Sequence, residues 1–81
     1  MTEEARERLH RTISKNLRRF REAKMPRTEA AKKLGVPYST LQKWEIGKVR
    51  IPAVEAYAIC VMLGVPVEEL FWDEKHGRGD A

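Results

Sequence analysis

Residues 34–52 read LGVPYSTLQKWEIGKVRIP, and the fold turns on what the middle of this stretch does. Between Gly35 and Gly47 there is room for one short helix, running from Pro37 to Ile46 and stopped by the second glycine. Leu41 and Trp44, three residues apart, share one side of it and suit a buried face. The other side carries Tyr38, Ser39, Gln42 and Lys43. Hydroxyl, amide and ammonium groups stand there in place of the Glu/Lys mixture of a merely solvated surface, so this face is suited to touching something.

Working upstream, Met25-Pro26 interrupts any longer helix, because proline disfavours helical geometry in the residue before it. Pro26 then opens a helix to Leu34, with Ala30, Ala31 and Leu34 on one side; the alanines permit a close helix crossing. Gly35 supplies a left-handed stop and Val36 an apolar side chain in the turn. Two short helices joined in this way form a helix-turn-helix unit over about 26–47. From Thr2 to Lys24 there is neither Gly nor Pro, and Ala5, Leu9, Ile13, Leu17 and Phe20 recur at helical spacing. Thr2 followed by Glu3 and Glu4 predicts an N-cap, and Arg18, Arg19, Arg21 and Lys24 suit the negative end of the dipole. Such a helix is about 33 Å long, which predicts that its first turns project, fray or pack on a partner.

Downstream, Lys48-Val49-Arg50-Ile51 is a connection, and Pro52 opens AVEAYAICVMLG, apolar around most of its circumference and therefore central. After Gly64, PVEELFW forms a last short helix, and residues 75–81 are expected to be a disordered tail. The expectation is all-α: one compact five-helix domain over 1–74 with an extended N-terminal helix.

The composition agrees with a small soluble domain. In 81 residues, 42% are apolar and 35% charged, which excludes both disorder and a membrane span. No hydrophobic segment resembles a signal peptide, so a cytoplasmic location is expected. Cys60 is the single cysteine and, amid apolar neighbours, reads as a core residue; with only His10 and His76 beside it, no metal or other cofactor is expected. His10, on an expected exposed helix face, and His76 receive no role. Arg78-Gly79-Asp80 reads as a chance tripeptide, and no catalytic constellation is discernible. The charge is asymmetric: residues 1–50 hold 14 Lys and Arg against 6 Asp and Glu, a balance of +8, while residues 51–81 hold 2 against 6, a balance of −4. A polyanion would meet the first half and be repelled by the second.

The pattern Ala31, Leu34, Gly35, Val36, then Ser39, Thr40, Leu41, Trp44, Glu45, Gly47 and Pro52 resembles the lambda repressor/Cro-type (XRE-like) helix-turn-helix family. The likeness continues through LRRFREAK and LGVPVEELF, covering about residues 13–72. It implies a DNA-binding domain with its third helix in the major groove. The family's base-reading positions fall on Tyr38, Ser39, Gln42 and Lys43; Lys can donate to guanine, and Gln can pair with adenine. Phosphate contacts are expected from Arg27 or Thr28 and from Lys48 and Arg50. The resemblance also implies a structural salt bridge between Arg21 and Glu45.

The sequence departs from the family pattern in three places. The start of the second helix is one residue short, which leaves either Arg27 or Thr28 in the leading contact. Pro37 replaces a Ser or Thr N-cap; Ser39 and Gln42 are spaced as a capping box, so the third helix starts at Pro37 or at Ser39. The fourth helix is more apolar than the pattern, and this surplus, with Val61 and Met62, together with Phe71 and Trp72 of the last helix, predicts a homodimer interface unless the long first helix covers it. The expected function is a sequence-specific, double-stranded DNA-binding transcriptional regulator and not an enzyme. The alternative is an antitoxin-like interaction module whose protein partner is a toxin or another regulator.

Overall fold

The computed structural model describes residues 1–73. The expected tail, with His76 and the Arg78-Gly79-Asp80 tripeptide, lies outside the described residues. The elements are α1 (Glu3–Glu22), α2 (Arg27–Leu34), α3 (Tyr38–Glu45) and α4 (Ala53–Leu63), followed by a 3-10 turn over Val67–Phe71, with no strand among the described residues. The expected last short helix is this 3-10 turn; at five residues it is too short to establish an α-helical ladder.

Each element after α1 begins directly behind a proline. Pro26, Pro37, Pro52 and Pro66 all occupy the N-cap position, with ψ between 145° and 157°. The third helix therefore starts at neither expected residue: Pro37 stands just outside it and Ser39 lies within its first turn. The ring fixes φ near −65°, and an extended ψ turns the chain into the helix without requiring the proline to donate a hydrogen bond. α1 is capped conventionally, with the Ala5 N–H donating to Thr2 Oγ1 at 3.1 Å. Gly35 closes α2 in the left-handed region, φ 74°, and the Val36 N–H donates to the Ala31 carbonyl at 3.1 Å, the long-range bond of a Schellman turn. A side chain at Gly35 would meet no neighbour, so the backbone conformation alone favours glycine there.

The core is built from Leu17, Ala30, Ala31, Leu41, Trp44, Ile59, Cys60, Leu63 and Leu70, with Phe20, Leu34, Val36, Ile51 and Met62 packed at its margin. α2 packs on both α3 and α4, as the small Ala30 and Ala31 permit. Burial pushes the Cys60 thiol up from its ordinary value, and the nearby Glu68 charge acts in the same direction. No described helix is long and apolar enough to cross a membrane.

α1 does not project. Its first turns lie along the 47–53 connection: Leu9, His10 and Ile13 line a cavity of about 280 Å³ with Ile51, Ala56 and Phe71. Its polar side also enters the interior, because Ser14, Asn16 and Arg21 are buried beside Leu17. Asn16 Nδ2 faces three backbone carbonyls of the closing segment, donating to Trp72 at 2.8 Å, Leu70 at 3.1 Å and Glu69 at 3.4 Å. The Glu69 carbonyl also accepts from the Trp72 N–H at 3.4 Å, so the chief service of Asn16 is to the Leu70 and Trp72 carbonyls, which it caps from across the molecule.

Replacing Asn16 with Ala should cost about 1–3 kcal/mol by leaving buried carbonyls without donors, read as a lower midpoint in thermal unfolding followed by circular dichroism. Asn16→Asp, which has the same shape and no donor, should be worse; equal stability of all three proteins would show that shape alone holds the segment.

Candidate nucleic-acid interface

The amphipathic character of α3 survives in three dimensions. Leu41 is fully buried and Trp44 is 4% exposed, while Tyr38, Ser39, Gln42 and Lys43 are all exposed. The four expected base-reading residues thus share one open face and project from a helix pinned on its other side. Sequence reasoning missed two exposed apolar residues that follow these in the chain. Ile46 is 58% and Val49 45% exposed. Ile46 follows Gln42 by four residues and Lys43 by three, so helical spacing was the available signal for it; Val49 lies beyond the helix, where no such periodicity applies.

The pin beneath α3 is electrostatic as well as apolar. Glu45 closes the helix with a carboxylate whose side chain is wholly buried. Arg21 of α1 grips it with two hydrogen bonds, Nε to Oε2 at 2.7 Å and Nη2 to Oε1 at 2.8 Å. Arg27 of α2 adds a third, Nε to Oε1 at 2.9 Å. One anion therefore joins three helices. Burial by itself would raise the Glu45 carboxyl, but the hydrogen bonds from Arg21 and Arg27, with their charges, outweigh it and hold the group below its ordinary range. The bond to Glu45 likewise raises Arg21.

Arg27, one of the two candidates for the leading phosphate contact, has a side chain only 16% exposed and engaged within the fold. Besides Glu45, it reaches Tyr38, where Nη1 donates to the hydroxyl at 3.1 Å. Thr28, the other candidate for the leading contact, is exposed in the first turn of α2. No side chain caps α2, so the amides of that turn remain open to an anion.

The loop after α3 is held by α1. Gly47 adopts φ 80° beneath α1, and the Nε2 of His10 donates to its carbonyl at 2.8 Å. His10, expected on a solvated face, is half-buried because the loop folds back over it. Lys48 is exposed. Arg50, also expected on a phosphate, is half-exposed and pairs with Glu7 and, at 3.8 Å, with Glu3. The +8 half therefore carries acidic residues of α1 directly against one of its own cations.

Of the residues expected at an interface between copies, Val61 and Trp72 are exposed, at 65% and 46%. Met62 packs at the core margin and Phe71 lies beside Leu9 and Ile13, so both are only partly exposed. The open apolar side of α4 is instead Val54, Tyr57 and Val61, spaced by three and four residues. Among the described residues there is no group of three or more His, Cys, Asp or Glu arranged to hold a metal ion.

Removing the shared anion by Glu45→Ala should cost about 3–5 kcal/mol, since Arg21 is left charged and buried, measurable by urea unfolding. Because the folded carboxyl lies below its ordinary 4.5, its contribution is complete above that value and is lost as pH falls through the lowered folded value. Unfolding free energy should drop over that acidic interval in the parent protein, and the part due to this group should vanish in Glu45→Gln.

A family model described as helix-turn-helix matches residues 15–70, from the middle of α1 to the closing turn. No curated protein and no solved structure matches the chain. With the match spanning more than half of the sequence, the chain belongs to the lambda repressor-like (XRE) helix-turn-helix family of DNA-binding domains.

Proposed function

We propose that this protein is a cytoplasmic, sequence-specific regulator of transcription that binds double-stranded DNA with α3 in the major groove. The observation that carries this reading is the open face of Tyr38, Ser39, Gln42 and Lys43 on a helix locked from behind by Leu41, Trp44 and Glu45. Lys43 offers donors to guanine O6 and N7, and Gln42 the paired donor and acceptor that suit adenine. Ser39 reaches a base edge or sugar-phosphate oxygen near the start of the helix. Ile46 and Val49 extend the surface with apolar groups suited to thymine methyls. Thr28 with the uncapped start of α2, Lys48 and Arg50 supply the phosphate contacts that set its orientation.

A single α3 covers only a few base pairs, whereas a two-fold pair reads two half-sites about 34 Å apart. The Val54, Tyr57 and Val61 face of α4 is the proposed contact between two copies. An antitoxin-like module would use the same face for another protein. The two readings separate on mass: the purified chain alone should have twice its monomer mass in light scattering, and Tyr57→Glu should reduce it to a monomer. A monomeric parent protein accompanied by a stoichiometric foreign partner would favour the interaction module.

Selection from randomised duplexes tests DNA recognition directly. Enrichment of a defined sequence is expected, and indifferent binding would overturn the reading. Lys43→Ala should alter preference at one base pair. Lys48→Ala should weaken all duplexes alike and lower the slope of log affinity against log salt by about one.

A further inference from the structure

Arg27 and Tyr38 belong to different helices, and their contact joins the buried salt bridge to the first residue of the exposed face. Arg27 is held from behind by Glu45 at 2.9 Å, and its guanidinium carbon lies 5.5 Å from the centroid of the Tyr38 ring. Its Nη1 donates to the Tyr38 hydroxyl oxygen at 3.1 Å. Tyr38 remains 44% exposed, so the ring is braced without being covered.

This arrangement assigns the hydroxyl's remaining capacity. A phenol can donate one hydrogen bond and accept others. Here a cationic N–H occupies the oxygen, draws on its lone-pair density and turns the phenolic proton away from the guanidinium. The O–H is thereby left for a partner other than Arg27, and the remaining lone pair, its density drawn toward the guanidinium, is the poorer acceptor. In the major groove guanine shows acceptors at O6 and N7, thymine at O4 and adenine at N7, whereas cytosine shows only the N4 donor. We propose that Arg27 is a positioning residue that holds Tyr38 as a hydrogen-bond donor, so that the base beneath Tyr38 is selected for its acceptors, guanine foremost, and cytosine is rejected there. The inference rests on the proposed DNA reading and gives Arg27 a role in specificity in place of the expected phosphate contact.

The test compares the full chain with Tyr38→Phe and Arg27→Gln in selections from randomised duplexes, followed by titration of the preferred duplex and of its cytosine-substituted counterpart. Tyr38→Phe removes one oxygen at an exposed site and keeps the fold. It should lower discrimination against cytosine at a single base pair by roughly tenfold, with preferences set by Gln42 and Lys43 intact. Arg27→Gln should relax the same base pair, and the double variant should lose no more discrimination there than either single one. A merely structural Arg27 would shift thermal stability without changing preference at that position, which overturns the proposal. So does a uniform loss on every duplex with a salt slope smaller by about one, the signature of a phosphate anchor. If Tyr38→Phe leaves every preference unchanged while Lys43→Ala alters one, the proposal fails and the regulator reading stands. If the parent protein shows no preference, both fail.

Discussion

The Glu45 carboxylate is the constraint on which the arrangement depends. It closes α3, receives Arg21 from α1 and Arg27 from α2, and is shielded from water. A buried carboxylate with one partner gone is strongly unfavourable, and so is a buried guanidinium without its anion. The three helices are therefore fixed relative to one another by a group that tolerates little displacement. Apolar packing of Leu41 and Trp44 gives α3 a face to bury; the three-way pairing limits how far it can roll on that face. The base reading proposed for α3 would need this limit, because hydrogen bonds to base edges fail over displacements that hydrophobic contact would absorb.

The second design feature is the way short helices are started. α2, α3 and α4 follow prolines and lack side-chain caps, so no side chain satisfies their first amides. A Ser or Thr cap would supply a partner to an amide that an incoming anion can also satisfy. The proline instead directs the chain and leaves the donors open, trading some isolated helix stability for readiness to bind.

Much of this was legible in the sequence, for reasons that can be given residue by residue. Helical spacing from Ala5 to Phe20, the breaks at Pro26, Gly35, Gly47, Pro52 and Gly64, and the opposed faces of α3 all depend on local periodicity, which a linear sequence carries directly. Surplus apolar residues on α4 were also visible, but which of them lie open was not. Met62 and Phe71 are covered by parts of the chain distant in sequence. Long-range polar partnerships were the least legible. Asn16 looks like a solvated helix residue until the closing segment places its carbonyls beside it. Arg27 looks like a free cation until Glu45, eighteen residues later, is turned toward it. His10 likewise acquires a purpose only when the Gly47 carbonyl folds over α1.

The pairing of Arg50 with Glu7 and Glu3 bears on how the molecule responds to ionic conditions. A DNA phosphate arriving at Arg50 meets a guanidinium that already has an internal counterion, so the event is an exchange of one oxyanion for another. The carboxylates set free must then recruit cations from solution, which offsets part of the entropy gained when the duplex sheds its own. Fewer ions are thus released on net than the number of arginines and lysines near the groove would imply. In the proposed complex, then, some indiscriminate attraction to nucleic acid is given up, and a larger share of the grip falls to the contacts proposed for α3.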